Sequence, residues 1–85
     1  GMKIFLKMYA HLGDLLPPDA HKNRAEIEVA EDVSLNEIID RFQVPRPMAH
    51  LVLLNGVFIC DTDRDQRGQI QAGDTLAIWP PVAGG

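Results

Sequence analysis

The dipeptide Asn55-Gly56 lies between two apolar segments, residues 51–54 and residues 57–59. Both residues tolerate the positive φ that a two-residue hairpin turn demands, so this pattern is the strongest short-range signal for a β-hairpin. We therefore expect two antiparallel strands here. Any fold assigned to the chain has to contain them.

One segment alone has the pattern of a helix. Ser34 and Glu37 have the spacing of a capping box, in which each side chain accepts a hydrogen bond from the other residue's backbone N–H. The apolar residues that follow recur at helical spacing: Leu35, Ile38, Ile39 and Phe42. Two prolines in residues 44–47 then end the helix.

Three further segments have the patterns of strands. Residues 3–9 place Ile4, Leu6 and Met8 on one face, with Phe5, Lys7 and Tyr9 on the other. Residues 24–29 alternate polar and apolar side chains, as a strand with one wet face does. A turn at residues 72–74 leads into a last strand, residues 75–79, which has Leu76 and Ile78 on one face and Thr75, Ala77 and Trp79 on the other.

The order strand, strand, helix, strand, strand, strand predicts an α+β chain with the ubiquitin-like β-grasp fold. In that fold a mixed sheet of four or five strands carries one main helix packed across it. A chain of 85 residues suffices for one domain. We expect a single domain over residues 1–85, with a globule over residues 2–79 and a flexible extended tail over residues 80–85, called the tail below.

Composition argues against several classes of function. The net charge is −4 and the eight Lys and Arg residues are scattered, which disfavours nucleic-acid binding. One cysteine cannot form an internal disulfide framework, nor can it hold the iron–sulfur cluster of a β-grasp ferredoxin, which needs four thiolates. We find no signal peptide and no apolar run long enough for a membrane span, so we expect a cytoplasmic protein without a membrane partner.

Isolated reactive residues form no convincing site. No His or other base has a sequence spacing from Cys60 that would indicate an activated thiol, so we expect no thiol nucleophile. His11, His21 and His50 are far apart in sequence, so we expect no bound metal. The acidic residues of the segment 61–68 lack the glycine position and the final Glu of a calcium loop, which predicts a solvated loop. We expect no bound cofactor and no stand-alone enzyme.

The tail ends in Gly84-Gly85. Pro80 and Pro81 stiffen its start, and the two terminal residues lack a Cβ atom. Such a tail suits a probe that enters a narrow cleft of a partner, where the Gly85 carboxylate is the reactive group. The alternative is an ordinary frayed chain end.

Residues 72–85, which end in Pro-Pro-Val-Ala-Gly-Gly, resemble the C-terminus of the small subunit of molybdopterin synthase. The segments Met8-Tyr9-Ala10 and Leu54-Asn55-Gly56 and the capped helix match that family in order and spacing, so the resemblance covers essentially the whole chain. The thiamine-pathway sulfur carrier shares the fold and the Gly-Gly end but usually lacks the Pro-Pro pair. The chain departs from the family after its first strand, at residues 11–14, and in a longer insert at residues 17–22.

The resemblance implies a sulfur carrier. An adenylating enzyme of the ubiquitin-activating type would join Gly85 to AMP, using ATP and Mg²⁺, and a sulfur donor such as a cysteine desulfurase or rhodanese would convert it to a thiocarboxylate. The large subunit of molybdopterin synthase would pass the sulfur to a pterin precursor of the molybdenum or tungsten cofactor. The alternatives are a sulfur carrier for thiamine or tRNA thiolation, and a ubiquitin-like protein modifier.

Strand parity predicts where such partners dock. Tyr9, Phe58 and Trp79 are aromatic residues on the sheet face that we expect to be open, and exposed aromatic clusters are typical of protein interfaces. Pro80 and Pro81 follow directly and complete the predicted docking surface. The pattern allows two interpretations of Phe5: it belongs to this surface, or it covers the edge of the core.

Overall fold

The computed structural model describes residues 1–82, so Ala83, Gly84 and Gly85 lie outside the described residues. One α-helix, α1, spans Leu35–Arg41. The strands have the following bounds: β1 Met2–Met8, β2 Arg24–Val29, β3 Leu51–Leu54, β4 Val57–Phe58 and β5 Thr75–Trp79. Short 3-10 helices occupy the connections at Ala10–Leu15, Arg46–Met48 and Asp61–Asp63.

The five strands form one mixed sheet in the order β2-β1-β5-β3-β4. β1 pairs with β5 in parallel, and the other neighbouring pairs are antiparallel. The first and last strands of the chain therefore lie side by side at the centre of the sheet. This architecture confirms the predicted β-grasp fold.

The core lies between α1 and one face of the sheet. Ile4, Leu6 and Met8 of β1 are 0% exposed, and they share one apolar cluster with Leu76 and Ile78 of β5. The helix contributes Leu35, Ile38 and Ile39 to the same cluster. Alternation along the strands therefore decides which side chains are buried, as the sequence predicts.

Both local signals produce the predicted geometry. Ser34 N–H donates to Glu37 Oε1 at 2.9 Å and Glu37 N–H donates to Ser34 Oγ at 3.1 Å, which is the capping box. Asn55 and Gly56 have φ of 50° and 83°, and the residues flanking this turn, Leu54 and Val57, pair with each other. The second hairpin strand is shorter than expected, because β4 ends at Phe58.

The segment predicted as a solvated loop contains a buried arginine. Arg64 is 3% exposed, and its guanidinium donates to the carbonyl oxygens of Ala49 at 2.8 Å and Ile59 at 3.0 Å. Asp61 Oδ1 lies 3.1 Å from the same group and balances its charge. The prediction of a solvated loop is wrong at this residue, since the loop needs a donor to satisfy carbonyls that the neighbouring strands leave unpaired.

Leu12 is a second feature that the sequence pattern missed. It lies in the 3-10 helix Ala10–Leu15, is 1% exposed and belongs to the core.

In the described part of the chain, no helix combines the length and apolar character that crossing a bilayer requires.

Candidate functional site

The chain leaves the sheet at the end of β5. His50 N–H donates to the Trp79 carbonyl at 3.1 Å, which holds this last strand residue to the start of β3. Pro80 is buried, whereas Pro81 and Val82 are exposed. The expected end of the globule at Trp79 is therefore one residue too early, and Pro80 offers a partner little surface because it packs against the globule. Gly84 and Gly85 lie outside the described residues.

The rings of Tyr9 and Trp79 stack beside this exit. Their centroids are 4.2 Å apart and their planes differ by 3°. The parallel register pairs Met8 with Ile78, so the next residues along the two strands are neighbours on the same side of the sheet. The sequence separates these residues by most of the chain, and only the parallel pairing of β1 and β5 brings them together.

Phe58 lies on the same side of the sheet. We call the sheet surface opposite α1 the open face. Phe58 pairs with Leu53, and Leu53 pairs with Ala77. Ala77 is two residues from Trp79, so these side chains all lie on one face. Phe58 is 54% exposed, so of the three predicted aromatic residues it offers the most surface to a partner. The structure thus places Tyr9, Phe58 and Trp79 on one face, and their role in docking stays a prediction.

The open face also contains two leucines that the sequence reasoning missed. Leu51 pairs with Trp79 and is 37% exposed, and Leu53 is half-buried beside it. The run Leu51–Leu54 is apolar throughout, so alternation could not identify its outward residues. The turn could have done so, since a two-residue hairpin fixes the register and pairs Leu53 with Phe58.

The open face has two chemically different halves. On β3, β4 and β5 it is apolar, with Leu51, Leu53, Phe58 and Trp79. On β1 and β2 it carries the charged side chains Lys3, Lys7, Arg24, Glu26 and Glu28, which the register places on this side. Phe5 lies in the charged half, half-buried, with the Arg24 guanidinium carbon 4.0 Å from its ring centroid. Phe5 is therefore outside the core, and Arg24 covers it.

Of the other candidate reactive groups, His50 lies at this site through its backbone bond to the Trp79 carbonyl. Cys60 Sγ donates to Asp63 Oδ2 at 3.2 Å and is 3.2 Å from Thr62 Oγ1. All three histidines are exposed. Within residues 1–82, no group of three or more His, Cys, Asp or Glu side chains is placed to hold a metal ion.

Two carboxylates on α1 have lowered pKa values. The pKa of Glu37 is lowered first by the hydrogen bond from Ser34 N–H and then by that from Arg67, whose Nη1 donates to Oε1 at 2.7 Å. The pKa of Asp40 is lowered by Arg46, which donates two hydrogen bonds of 2.8 Å to its two oxygens. Both groups belong to α1, so their ionisation bears on stability.

Structural comparison finds the same fold in several solved proteins. The HVO 2177 protein of Haloferax volcanii is 20% identical, with a TM-score of 0.72 over 99% of this chain and 87% of that chain. The small archaeal modifier protein 1 of the same organism is 22% identical, with a TM-score of 0.67 over 96% of this chain and 100% of that chain. A chain in the complex of subunits 1 and 2 of molybdopterin-converting factor from Helicobacter pylori 26695 is 19% identical, with a TM-score of 0.56 over 99% and 100%.

No curated protein sequence matches the chain. A protein-family model, described as the ThiS family, matches residues 15–85. This match includes α1, the hairpin, β5 and the terminal Gly84-Gly85, which are the features that the sequence pattern singled out. The chain therefore belongs to the ThiS family.

Proposed function

We propose that this protein is a sulfur carrier whose Gly85 carboxylate is activated as an acyl-adenylate and converted to a thiocarboxylate. The observation that carries the proposal is the ThiS-family match, which runs to the terminal glycine. The geometry supports it, because the chain leaves the sheet beside an apolar surface on which a partner can dock. This chain supplies the terminal carboxylate and the docking surface, and the catalytic groups belong to the partners.

The chemistry requires activation because a carboxylate is a poor electrophile. A carboxylate oxygen of Gly85 attacks the α-phosphate of ATP in the adenylating enzyme, and pyrophosphate leaves. The terminal sulfur of a persulfide donor then attacks the carbonyl carbon and expels AMP. A second thiol cleaves the resulting acyl disulfide, which leaves the thiocarboxylate on Gly85. ATP and Mg²⁺ are held by the adenylating enzyme in this scheme.

The apolar half of the open face is the proposed docking surface for both the adenylating enzyme and the acceptor enzyme. Leu51 is an exposed apolar side chain paired with Trp79, which precedes the tail, and exposed Phe58 lies on the same face one strand further out. A partner that buries them is therefore at the base of the tail. Pro81 is exposed, and we propose that it adds to this surface.

We propose molybdopterin synthesis as the destination of the sulfur, with a large synthase subunit as the acceptor enzyme. Two observations support this choice over thiamine synthesis or tRNA thiolation. The chain ends in Pro-Pro-Val-Ala-Gly-Gly, and it shares its fold with a chain from a complex of two molybdopterin-converting-factor subunits. The second candidate is a ubiquitin-like modifier, which is favoured by the shared fold of the small archaeal modifier protein.

The first experiment tests activation. Deleting Gly85, or appending one residue after it, should abolish ATP-dependent pyrophosphate exchange with the adenylating enzyme of the same genome. Circular dichroism and thermal melting should match the unaltered protein, because the last core residue of the described chain is Ile78. Full exchange activity in the protein that lacks Gly85 would end the carrier proposal.

The second experiment separates a carrier from a modifier. Protein isolated from cells with an intact sulfur pathway should show the mass gain from replacing one oxygen by sulfur, and fragmentation should place it on Gly85. A persulfide on Cys60 adds a sulfur atom instead, and a reducing agent removes it. If the only altered form is Gly85 joined to lysines of other proteins, the modifier takes the place of the carrier.

A further inference from the structure

The backbone of Tyr9 is held in place by hydrogen bonds from both of its polar groups. Its N–H donates to the Ile78 carbonyl at 3.1 Å, and its own carbonyl accepts the Leu12 N–H at 3.1 Å. Ala10, the next residue, has φ of 51°, a left-handed conformation that is uncommon for a residue with a Cβ atom. The chain thus turns sharply after Tyr9, and these contacts fix the point at which the ring leaves the backbone.

Trp79 stacks on the Tyr9 ring. Adjacent strands are roughly 4.8 Å apart, and residues in parallel register project side by side, which suits two flat rings packed face against face. The centroid distance of 4.2 Å and the interplanar angle of 3° are those of a closely stacked pair. The Trp79 backbone is held as well, since its carbonyl accepts the His50 N–H.

Few backbone torsions separate Trp79 from the exposed part of the tail. Pro80 and Pro81 each have φ restricted to about −65°. A residue that precedes proline is confined to extended conformations, which restricts ψ of Trp79 and of Pro80. Whatever holds the Trp79 backbone in place therefore also limits the directions in which Pro81 and Val82 can leave the sheet.

We propose that the Tyr9–Trp79 stack is a positioning device that sets the direction in which the tail leaves the globule. This inference rests on the proposed function, because the purpose of a fixed direction is to present Gly85 to a partner already docked on the open face. Tyr9 and Trp79 are then positioning residues, whereas Phe58 and Leu51 supply docking surface. The two roles predict different kinetic effects.

Pyrophosphate exchange with the adenylating enzyme distinguishes these roles. Tyr9→Ala and Trp79→Ala should lower kcat by roughly 10-fold to 100-fold, because small misplacement of a reacting group costs rate of that order. KM should change less than kcat. The double variant should be no worse than either single variant, since the two rings act as one unit. Tyr9→Phe keeps the ring and should restore the rate.

Two controls accompany these variants. Phe58→Ala should raise KM with kcat little changed, as expected for lost docking surface. Arg24→Ala removes another contact with an aromatic ring on the same face, the one over Phe5, and should alter neither constant. A rise in KM alone for Tyr9→Ala would show that the pair is a docking anchor, and failure of Tyr9→Phe to restore kcat would show that the ring stack does not set the rate. Either result would overturn the proposal.

A measurement without any partner tests the device separately from the carrier function. Val82 is the first residue after Trp79 with a backbone N–H, because two prolines intervene. Its ¹⁵N relaxation order parameter should fall in Tyr9→Ala and return in Tyr9→Phe. Trp79 is the sole tryptophan, so its fluorescence reports loss of the stack directly. An unchanged Val82 in a protein whose stack is lost refutes the device, whatever the exchange assay shows.

Discussion

The two faces of the sheet use the same strands for different purposes. On the face covered by α1, Ile4, Leu6 and Met8 are fully buried. On the open face, Leu51 and Phe58 keep a third or more of their surface exposed. Both faces are apolar around β5, so hydrophobicity alone does not separate core from interface. The difference lies in what covers them, and alternation lets one strand serve folding and recognition independently.

The largest effect should come from the covered face. Ile78→Ala removes a buried side chain of β5 from the core cluster and should cost about 2–5 kcal/mol in the free energy of unfolding. Urea denaturation followed by circular dichroism measures this loss. The affinity of the folded fraction for the adenylating enzyme should stay the same. A loss below about 1 kcal/mol would mean that this face is less tightly packed than the covered-face assignment requires.

Arg64 should behave like a residue of the covered face although it lies in a loop. Arg64→Ala leaves the buried carbonyls of Ala49 and Ile59 without their donor, at a cost of about 1–3 kcal/mol in unfolding free energy. Arg67→Ala is the matched control, because it removes an arginine whose side chain is half exposed in ion pairs, and such pairs contribute only about 0–1 kcal/mol. Equal losses in the two variants would contradict a structural role for Arg64.

The open face should show the opposite pattern. Phe58→Ala should weaken binding to the adenylating or synthase partner by more than about 1 kcal/mol, as truncation of an interface anchor does. Its unfolding free energy should change by no more than about 0.5 kcal/mol, because the ring is mostly exposed. Binding titrations and thermal melts of the same sample give both values. Unfolding at low temperature would assign Phe58 to the core.

The smallest effect concerns pH. The pKa values of Glu37 and Asp40 are lowered in the folded state, so their contribution to stability is present above the unfolded-state pKa and is lost as pH falls through the folded value. Stability should therefore decline in the acid range. Both carboxylates are solvent-exposed, so water screens the effect and keeps it small.

Glu37→Gln isolates this contribution. The amide oxygen of Gln can still accept the Ser34 N–H, so the capping box survives while the titrating charge is lost. Unfolding free energies measured over a series of acid pH values should show a shallower decline than in the unaltered protein. Coincident profiles would mean that Glu37 does not contribute to the acid sensitivity.

Much of the fold could be predicted because its signals are local. The capping box depends on residues three apart, the hairpin on two turn residues, and the buried residues of β1 and β2 on simple alternation. The same reasoning placed Tyr9, Phe58 and Trp79 on one face. It did not find Leu51 and Leu53, since an unbroken apolar run carries no alternation to interpret. The single domain over residues 1–85 and the docking role of Pro81 stay predictions.

The sequence by itself therefore determined the elements of this protein, the side of each alternating strand that is buried, and the Gly-Gly end on which the proposed chemistry depends. These follow from backbone preferences and periodicities that act within a few residues. Tertiary structure alone decided that β1 lies beside β5, that Tyr9 stacks on Trp79, that Pro80 is buried and that Arg64 donates to the Ala49 carbonyl. The strand pairing and the ring stack join residues far apart in the chain, and such contacts form only when packing the core selects which strands become neighbours.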